Sequence, residues 1–152
     1  EDYPGAACLA IQPIIECDPA DPASVAQNNI AGKPLPYISD FSGNIQFNYT
    51  RDLWDDLIFD SVLAVTGRSE YYDSDNQSPL YGLQEGFSKV DLRLQIAPHD
   101  ERWHVALVGK NLTDKITTGS AFRLPTPITS VSRAIMYVEP PRTIALEAGF
   151  RF

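Results

Sequence analysis

Alternation of apolar and polar residues with a period of two recurs along the chain and predicts β-strands, because helical periodicity is almost absent. The clearest case is the stretch 41–50, in which one face is apolar and the other is polar and uncharged. Its apolar members are Phe41, Gly43, Ile45, Phe47 and Tyr49. This separation predicts a strand whose two faces meet different surroundings.

Four further stretches carry the same pattern. The predicted strands cover residues 57–68, 87–96, 103–111 and 143–152. The alternation is weakest in 57–68, where Ile58 and Val62 share a face with Asp60. Each stretch has about the 9–11 residues that a tilted strand needs to cross a bilayer.

The connections between these strands alternate in length. Those at 51–56 and 98–101 are short, whereas 69–86 and 112–141 are long, and a long irregular stretch, 1–40, precedes the first strand. A compact soluble domain has mostly short connections. Brief turns on one side and extended loops on the other are typical of outer-membrane barrels.

Aromatic residues are predicted at both ends of the strands. Trp54 and Trp103 fall on the side of the short turns, and Phe41 and Phe87 on the opposite side. Amphipathic rings favour membrane interfaces, so two such belts indicate a membrane-spanning sheet. The alternative is a β-sandwich whose strands begin or end in aromatics.

Composition narrows the class of protein. The net charge of −8 and the lack of a Lys/Arg cluster argue against nucleic-acid binding. No apolar run approaches the roughly 18 residues of a membrane helix. The start, Glu1 to Gly5, has no signal-peptide pattern, so we expect a processed chain or one that begins partway through a longer polypeptide.

The two cysteines, Cys8 and Cys17, lie in a Pro-, Ala- and Asp-rich segment. Their even number and proximity predict a disulfide and an oxidising compartment; two unpaired thiols are the alternative. His99 and His104 are distant from them, so no zinc site is expected.

The sequence contains few motifs for catalysis or for cofactor and metal binding. No nucleophile motif or phosphate-binding glycine loop is present, so neither catalysis nor a cofactor is expected. The segment 73–77 faintly resembles a calcium loop but lacks its glycine and its later glutamate. A solvated acidic loop is the preferred interpretation.

Two motifs near the C-terminus carry a family resemblance. Gly109-Lys-Asn-Leu-Thr-Asp-Lys115 ends one strand, and Glu139-Pro-Pro-Arg-Thr143 leads into the last, which ends at Phe152. With Gly32-Lys-Pro-Leu-Pro36 before the first strand, they resemble the closing part of TonB-dependent outer-membrane receptors. The resemblance covers about residues 32–152.

The resemblance implies an all-β fold, an antiparallel transmembrane β-barrel segment comprising about five C-terminal strands of a roughly 22-stranded barrel. Residues 1–40 would be an extracellular loop. The other strands, a plug domain and a TonB-contacting segment would come from another polypeptide or from residues outside this sequence. The expected location is the bacterial outer membrane, with loops outside and the C-terminus in the periplasm.

The function implied by the resemblance is energy-dependent uptake of a scarce nutrient, such as a ferric siderophore, a cobalamin-like compound or a glycan. Expected partners are the rest of the barrel, TonB, the lipid bilayer and the barrel-assembly machinery, which would read Phe150 and Phe152. Alternatives are a passive porin or adhesin barrel and a soluble secreted all-β binding module.

Candidate ligand contacts lie in the two long loops. They are Tyr71, Tyr72 and Tyr81 in the first loop and Phe122 and Arg123 in the second. Aromatic side chains there would stack on a ligand, or they would only pack loop against loop. The charged residues of the polar faces are expected to pair in the barrel lumen: Lys89, Asp91, Arg93, Glu147 and Arg151.

Overall fold

The computed structural model describes residue 20 and residues 34–54, 56–74, 82–123 and 134–152, without the side chains of 122, 123 and 134. Cys8, Cys17 and Tyr81 lie outside this part, so the disulfide stays a prediction. The described residues form strands and no helix. None of them belongs to a helix long and apolar enough to cross a membrane.

Five strands form the main antiparallel sheet. They are β1 (Ser42–Leu53), β2 (Leu57–Arg68), β5 (Phe87–Pro98), β6 (Trp103–Lys110) and β9 (Thr143–Phe150), in the order β1-β2-β5-β6-β9. Among the described residues this sheet is open, because β1 and β9 are each hydrogen-bonded to one neighbour.

Two small antiparallel pairs arise within the long connections. β3 (Tyr71–Tyr72) pairs with β4 (Leu83–Gln84), and β7 (Thr118–Arg123) is hydrogen-bonded to β8 (Ala134–Val138). The sequence predicted irregular loops here. A strand of two residues is too short for any alternation to reveal it.

The chain divides into two compact units. The sheet unit comprises residues 39–70, 85–117 and 138–152, and the loop unit comprises residues 1–38, 71–84 and 118–137. The sheet unit contains all five strands of the main sheet, whereas the loop unit is drawn from the long connections and the N-terminal stretch.

The short turns join neighbouring strands of the sheet. Leu53 pairs with Leu57 around the first turn, where Trp54 has a positive φ of 53°. Glu101 has a φ of 52° in the second turn. Non-glycine residues adopt this left-handed conformation infrequently, and here it reverses the chain within three or four residues.

The all-β antiparallel fold predicted from the alternation is confirmed. The predicted strand 57–68 coincides with β2, and the other four differ from the observed strands by one to three residues at their ends. Register follows the faces: Phe47 lies opposite Leu63 and Leu63 opposite Leu92, so apolar positions share one side of the sheet.

Candidate functional site

One face of the main sheet is apolar from edge to edge. In the observed register, its central rows contain Phe47, Leu63, Leu92, Leu94, Leu107 and Leu146. Among the strand residues on this face, Arg51 alone is charged, and it lies in the last three residues of β1. We call this surface the apolar face.

The apolar face is uncovered along both edges of the sheet. Phe47 is 62% exposed in β1, and Leu146 is 74% exposed in β9. Leu92 and Leu94, in the central strand, are of intermediate burial. Apolar patches of this extent on a protein surface mark contact with a membrane, a partner or a ligand.

The opposite face is held together by polar contacts between strands, and we call it the polar face. Asn44 donates from Nδ2 to Thr66 Oγ1 at 2.8 Å, and Thr50 donates to Asp60 Oδ1 at 2.7 Å. Both are directly opposed pairs of β1 and β2. Cross-strand pairs of this kind fix the register of a sheet.

Ion pairs continue the polar face across β5, β6 and β9. Arg93 is paired with Glu147, and Lys110 Nζ lies 3.2 Å from Asp91 Oδ2. The predicted pairing of these charges is therefore confirmed for Arg93 and Glu147. Asp91 pairs with Lys110, which the sequence did not single out, and Arg151 has no side-chain partner among the described residues.

Lys89 makes the remaining pair at the end of the sheet that faces away from the short turns. Its Nζ lies 2.5 Å from both Glu139 Oε2 and Thr117 Oγ1. Hydrogen bonds from Lys89, and secondarily from Thr117, hold the pKa of Glu139 below its ordinary value. The group therefore keeps its charge at neutral and mildly acidic pH.

The two C-terminal motifs, separated by more than twenty residues in the sequence, meet in space. Asn111 donates from Nδ2 to Pro140 O at 3.3 Å. Asp114 accepts the backbone N–H of Arg142 at 3.1 Å, and Arg142 Nη2 lies 3.5 Å from Asp114 Oδ2. The motifs thus act together as one clasp between the end of β6 and the start of β9.

The first motif forms a turn after β6. Asn111 and Asp114 have φ angles of 50° and 54°, and Asn111 Oδ1 accepts the N–H of Lys115 at 3.0 Å. Gly109 lies close to Leu112, since a Cβ there would come within 2.7 Å of Leu112 Cδ2 and the leucine side chain would have to shift. β6 therefore ends within the motif, at Lys110.

The loop unit contains the candidate ligand residues. Tyr71 is 7% exposed, and its hydroxyl donates to Thr118 O at 3.3 Å. Tyr72 is less buried, and its carbonyl accepts the N–H of Tyr37 at 2.6 Å. Tyr71 therefore packs one loop segment against another, the alternative to ligand contact that the sequence left open.

The second set of candidates lies on β7, which contains both Phe122 and Arg123. Their backbone positions are described, and their side chains lie outside the described part. Ligand contact by these residues and by Tyr81 and Tyr72 stays a prediction.

The first two residues of the acidic segment 73–77 are buried, contrary to the expected solvated loop; residues 75–77 lie outside the described part. Asp73 and Ser74 are each 1% exposed. The backbone holds Asp73 on both sides: its N–H donates to Gly82 O at 2.8 Å, and its carbonyl accepts the N–H of Ala121 at 2.8 Å. The acidic composition predicted solvent exposure, but these backbone hydrogen bonds hold Asp73 inside the loop unit.

Aromatic residues collect at the end of the sheet with the short turns. Trp54 is 82% exposed, Trp103 is 36% exposed, and the rings of Phe150 and Phe152 meet edge to face at 5.1 Å. Beside them lies an open concavity of about 480 Å³ that includes His99. The aromatics therefore border the apolar face where the sequence predicted one of the two belts.

The comparisons do not extend these findings. The chain matches no protein-family model, no curated protein and no solved structure. Among the described residues, no group of three or more His, Cys, Asp or Glu side chains is arranged to hold a metal ion. The described features that bear on function are therefore the two faces of the sheet and the loop unit.

Proposed function

We propose that this chain forms the last strands of a TonB-dependent outer-membrane receptor, an active importer of a scarce nutrient. The observation that carries the proposal is the contrast between the faces of one sheet. One face exposes large apolar side chains, and the other is joined by hydrogen bonds and ion pairs. A membrane barrel wall needs this arrangement, with lipid outside and a polar interior.

The lengths of the strands fit a bilayer. β1, β2 and β5 have 12 residues each, which at a rise of about 3.3 Å gives roughly 40 Å. Inclined by about 45°, such a strand covers close to the roughly 30 Å of hydrocarbon. A soluble sandwich would instead have buried Leu146 and Ile144, which are 74% and 67% exposed.

The open edges support a larger assembly. β1 and β9 each have one hydrogen-bonded neighbour among the described residues, so each leaves a row of backbone groups without a strand partner. Such groups cannot be left unpaired in hydrocarbon. We therefore expect the remaining strands of the barrel to pair with both edges and a plug to occupy the lumen.

Active import, rather than passive diffusion, is favoured by the two C-terminal motifs that resemble the receptor family. They form one clasp through Asp114 and Arg142. The long connections form a loop unit with its own buried residues, a structure suited to ligand capture outside the cell. The ligand would be a siderophore, a cobalamin-like compound or a glycan, and no catalysis is proposed.

Uptake measurements test the proposal. Cells with and without the gene would be supplied with each labelled ligand class, and uptake that needs the gene would be measured with and without an uncoupler of the proton-motive force and with and without TonB. An active receptor loses accumulation of its ligand under either treatment. Uptake that is unaffected by both identifies a passive barrel and overturns active import.

A separate measurement tests the membrane assignment. The full-length protein is expected in the outer-membrane fraction, extracted by detergent and unfolded only on heating. Recovery of a stable monomer from the aqueous fraction would identify a soluble binding module instead.

A further inference from the structure

The described part of the loop unit encloses a carboxylate for which it offers no cationic partner. Asp73 is 1% exposed, and its Oδ1 has no hydrogen-bond partner among the described residues. No described Lys, Arg or His forms an ion pair with it. Burial of an ionised carboxylate without compensation is strongly unfavourable, so this position calls for a positive charge.

Other oxygens gather at the same carboxylate. Thr118 Oγ1 contacts Asp73 Oδ2 and lies 3.1 Å from Gln84 Oε1. The amide of Gln84 is fixed with its oxygen inward, because Oε1 accepts the backbone N–H of Thr118 at 2.8 Å. The single hydroxyl hydrogen of Thr118 therefore faces two acceptors and can serve only one of them.

Ser74 adds a further oxygen next to the carboxylate in the sequence. It is 1% exposed, and its Oγ also has no hydrogen-bond partner within the described part of the chain. Two adjacent buried side chains thus have oxygens without a described partner. Buried polar groups are ordinarily satisfied, and a bound cation would satisfy these.

We propose that Asp73, Ser74, Gln84 and Thr118 form a calcium site in the loop unit. Calcium takes six to eight oxygen ligands in flexible geometry, including carboxylate, amide and carbonyl oxygens, whereas magnesium requires a near-ideal octahedron. The backbone bonds of Asp73 to Gly82 and Ala121 hold the carboxylate in place before the ion binds. The ion would tie β3, β4 and β7 together.

One carboxylate among neutral ligands sets the affinity. Calcium affinity rises with the number of ligand charges, so we expect a dissociation constant of about 10⁻⁴ to 10⁻³ M, the range of extracellular modules. This site does not depend on the proposed import function, because it rests only on contacts inside the loop unit.

Calorimetric titration of the full-length protein in detergent with CaCl₂, after treatment with a chelator, tests the site. We expect one calcium ion per chain, no heat from MgCl₂ at equal concentration, and a rise in Tm with calcium because the ion binds the folded state. Asp73→Asn should raise the dissociation constant at least about tenfold, since even the loss of an outer-shell partner has such an effect. Asp40→Asn, at an exposed position of the sheet unit, should leave it unchanged.

Terbium luminescence locates the ion even where Asp73→Asn does not fold. Terbium substitutes for calcium and is excited through a nearby tyrosine, and Tyr71 contacts Thr118 at 3.3 Å. We expect a calcium-displaceable signal that Tyr71→Phe reduces, with calcium affinity retained, and that Thr118→Val abolishes. Absence of calcium binding to the wild-type protein, or equal binding by Asp73→Asn, would overturn the proposal.

Discussion

Arg93 of β5 and Glu147 of β9 form an ion pair across the intervening strand β6. Ala106 of β6 lies in the same row as Glu147, paired with it on one side and with Gln95 on the other, and is 1% exposed. A small side chain at this position lets the two long ones meet above it. The pair thereby connects two strands that are not neighbours.

A double-mutant cycle measures this connection. Arg93→Gln, Glu147→Gln and the double variant should give a coupling free energy of about 0.2–1 kcal/mol, because both side chains are at least one-third exposed and solvent screens them. Urea unfolding at low and high salt is the measurement, and the coupling should shrink at high salt. A coupling above about 3 kcal/mol would indicate a pair enclosed away from water.

The membrane assignment makes opposite predictions for two adjacent residues of β1. Phe47 lies on the apolar face and is 62% exposed, whereas Gln46 lies on the polar face. Phe47→Arg should lower the free energy of unfolding by about 2–4 kcal/mol, because arginine would enter hydrocarbon. Gln46→Arg should stay within about 1.5 kcal/mol, the worth of its hydrogen bond to Asn48.

Unfolding by urea from lipid vesicles is the measurement for this pair. In a soluble sheet both positions would meet water, so the two arginine variants would differ by less than about 0.5 kcal/mol. Such equality would contradict a lipid-facing surface. Both substitutions introduce the same residue at neighbouring positions of one strand.

Much of the sheet could be predicted from the sequence, because alternation specifies both a strand and its faces. β2 was predicted despite Ile58 and Val62 on its polar side, because Leu57, Phe59, Leu63 and Val65 alternate along its other face. The partner of Lys89 could not be found, because Glu139 is 50 residues away and their contact depends on sheet order.

The loop unit was largely hidden from sequence reasoning. Asp73 belongs to an acidic segment whose composition predicts solvent exposure, and its burial arises from backbone bonds to Gly82 and Ala121. Backbone hydrogen bonds such as these cannot be predicted from the residue types. For the clasp, the sequence showed only two separate motifs. The structure shows that Asp114 of the first contacts Arg142 of the second.

The pKa of Glu139 predicts a pH dependence. Hydrogen bonds from Lys89 and then Thr117 lower it in the folded protein from the ordinary 4.5, so folding favours the charged form. The resulting stabilisation is fully present above pH 4.5 and is lost as the pH falls through the lower folded value. Glu139→Gln should remove this part of the pH dependence.

Urea unfolding of wild-type and Glu139→Gln proteins between pH 3 and pH 7 checks the prediction. The difference between the two free energies should be constant at neutral pH and should narrow only in the acidic range, below about pH 4.5. Asp114→Asn, which removes a different ion pair, serves as the control for general acid sensitivity. A difference that instead widens as the pH falls would contradict the assigned sign.

The chain terminus provides a test of assembly as distinct from stability. Phe152 is fully exposed and contacts Phe150 edge to face, while Arg151 donates its backbone N–H to Arg102 O at 2.8 Å. If the terminal aromatics are read by the barrel-assembly machinery, Phe152→Ser should lower the amount of folded receptor in the outer membrane. Refolding of the purified variant into detergent should remain at the wild-type level, because the ring buries little surface in the fold.

Arg151→Ser is the matched control, and quantitative heat-shift electrophoresis of membranes gives the readout. Equal amounts of folded Phe152→Ser and Arg151→Ser protein in the membrane would rule out the assembly role. If the Phe152→Ser variant instead loses as much folded protein in detergent as in cells, Phe152 acts only as a lipid or packing contact.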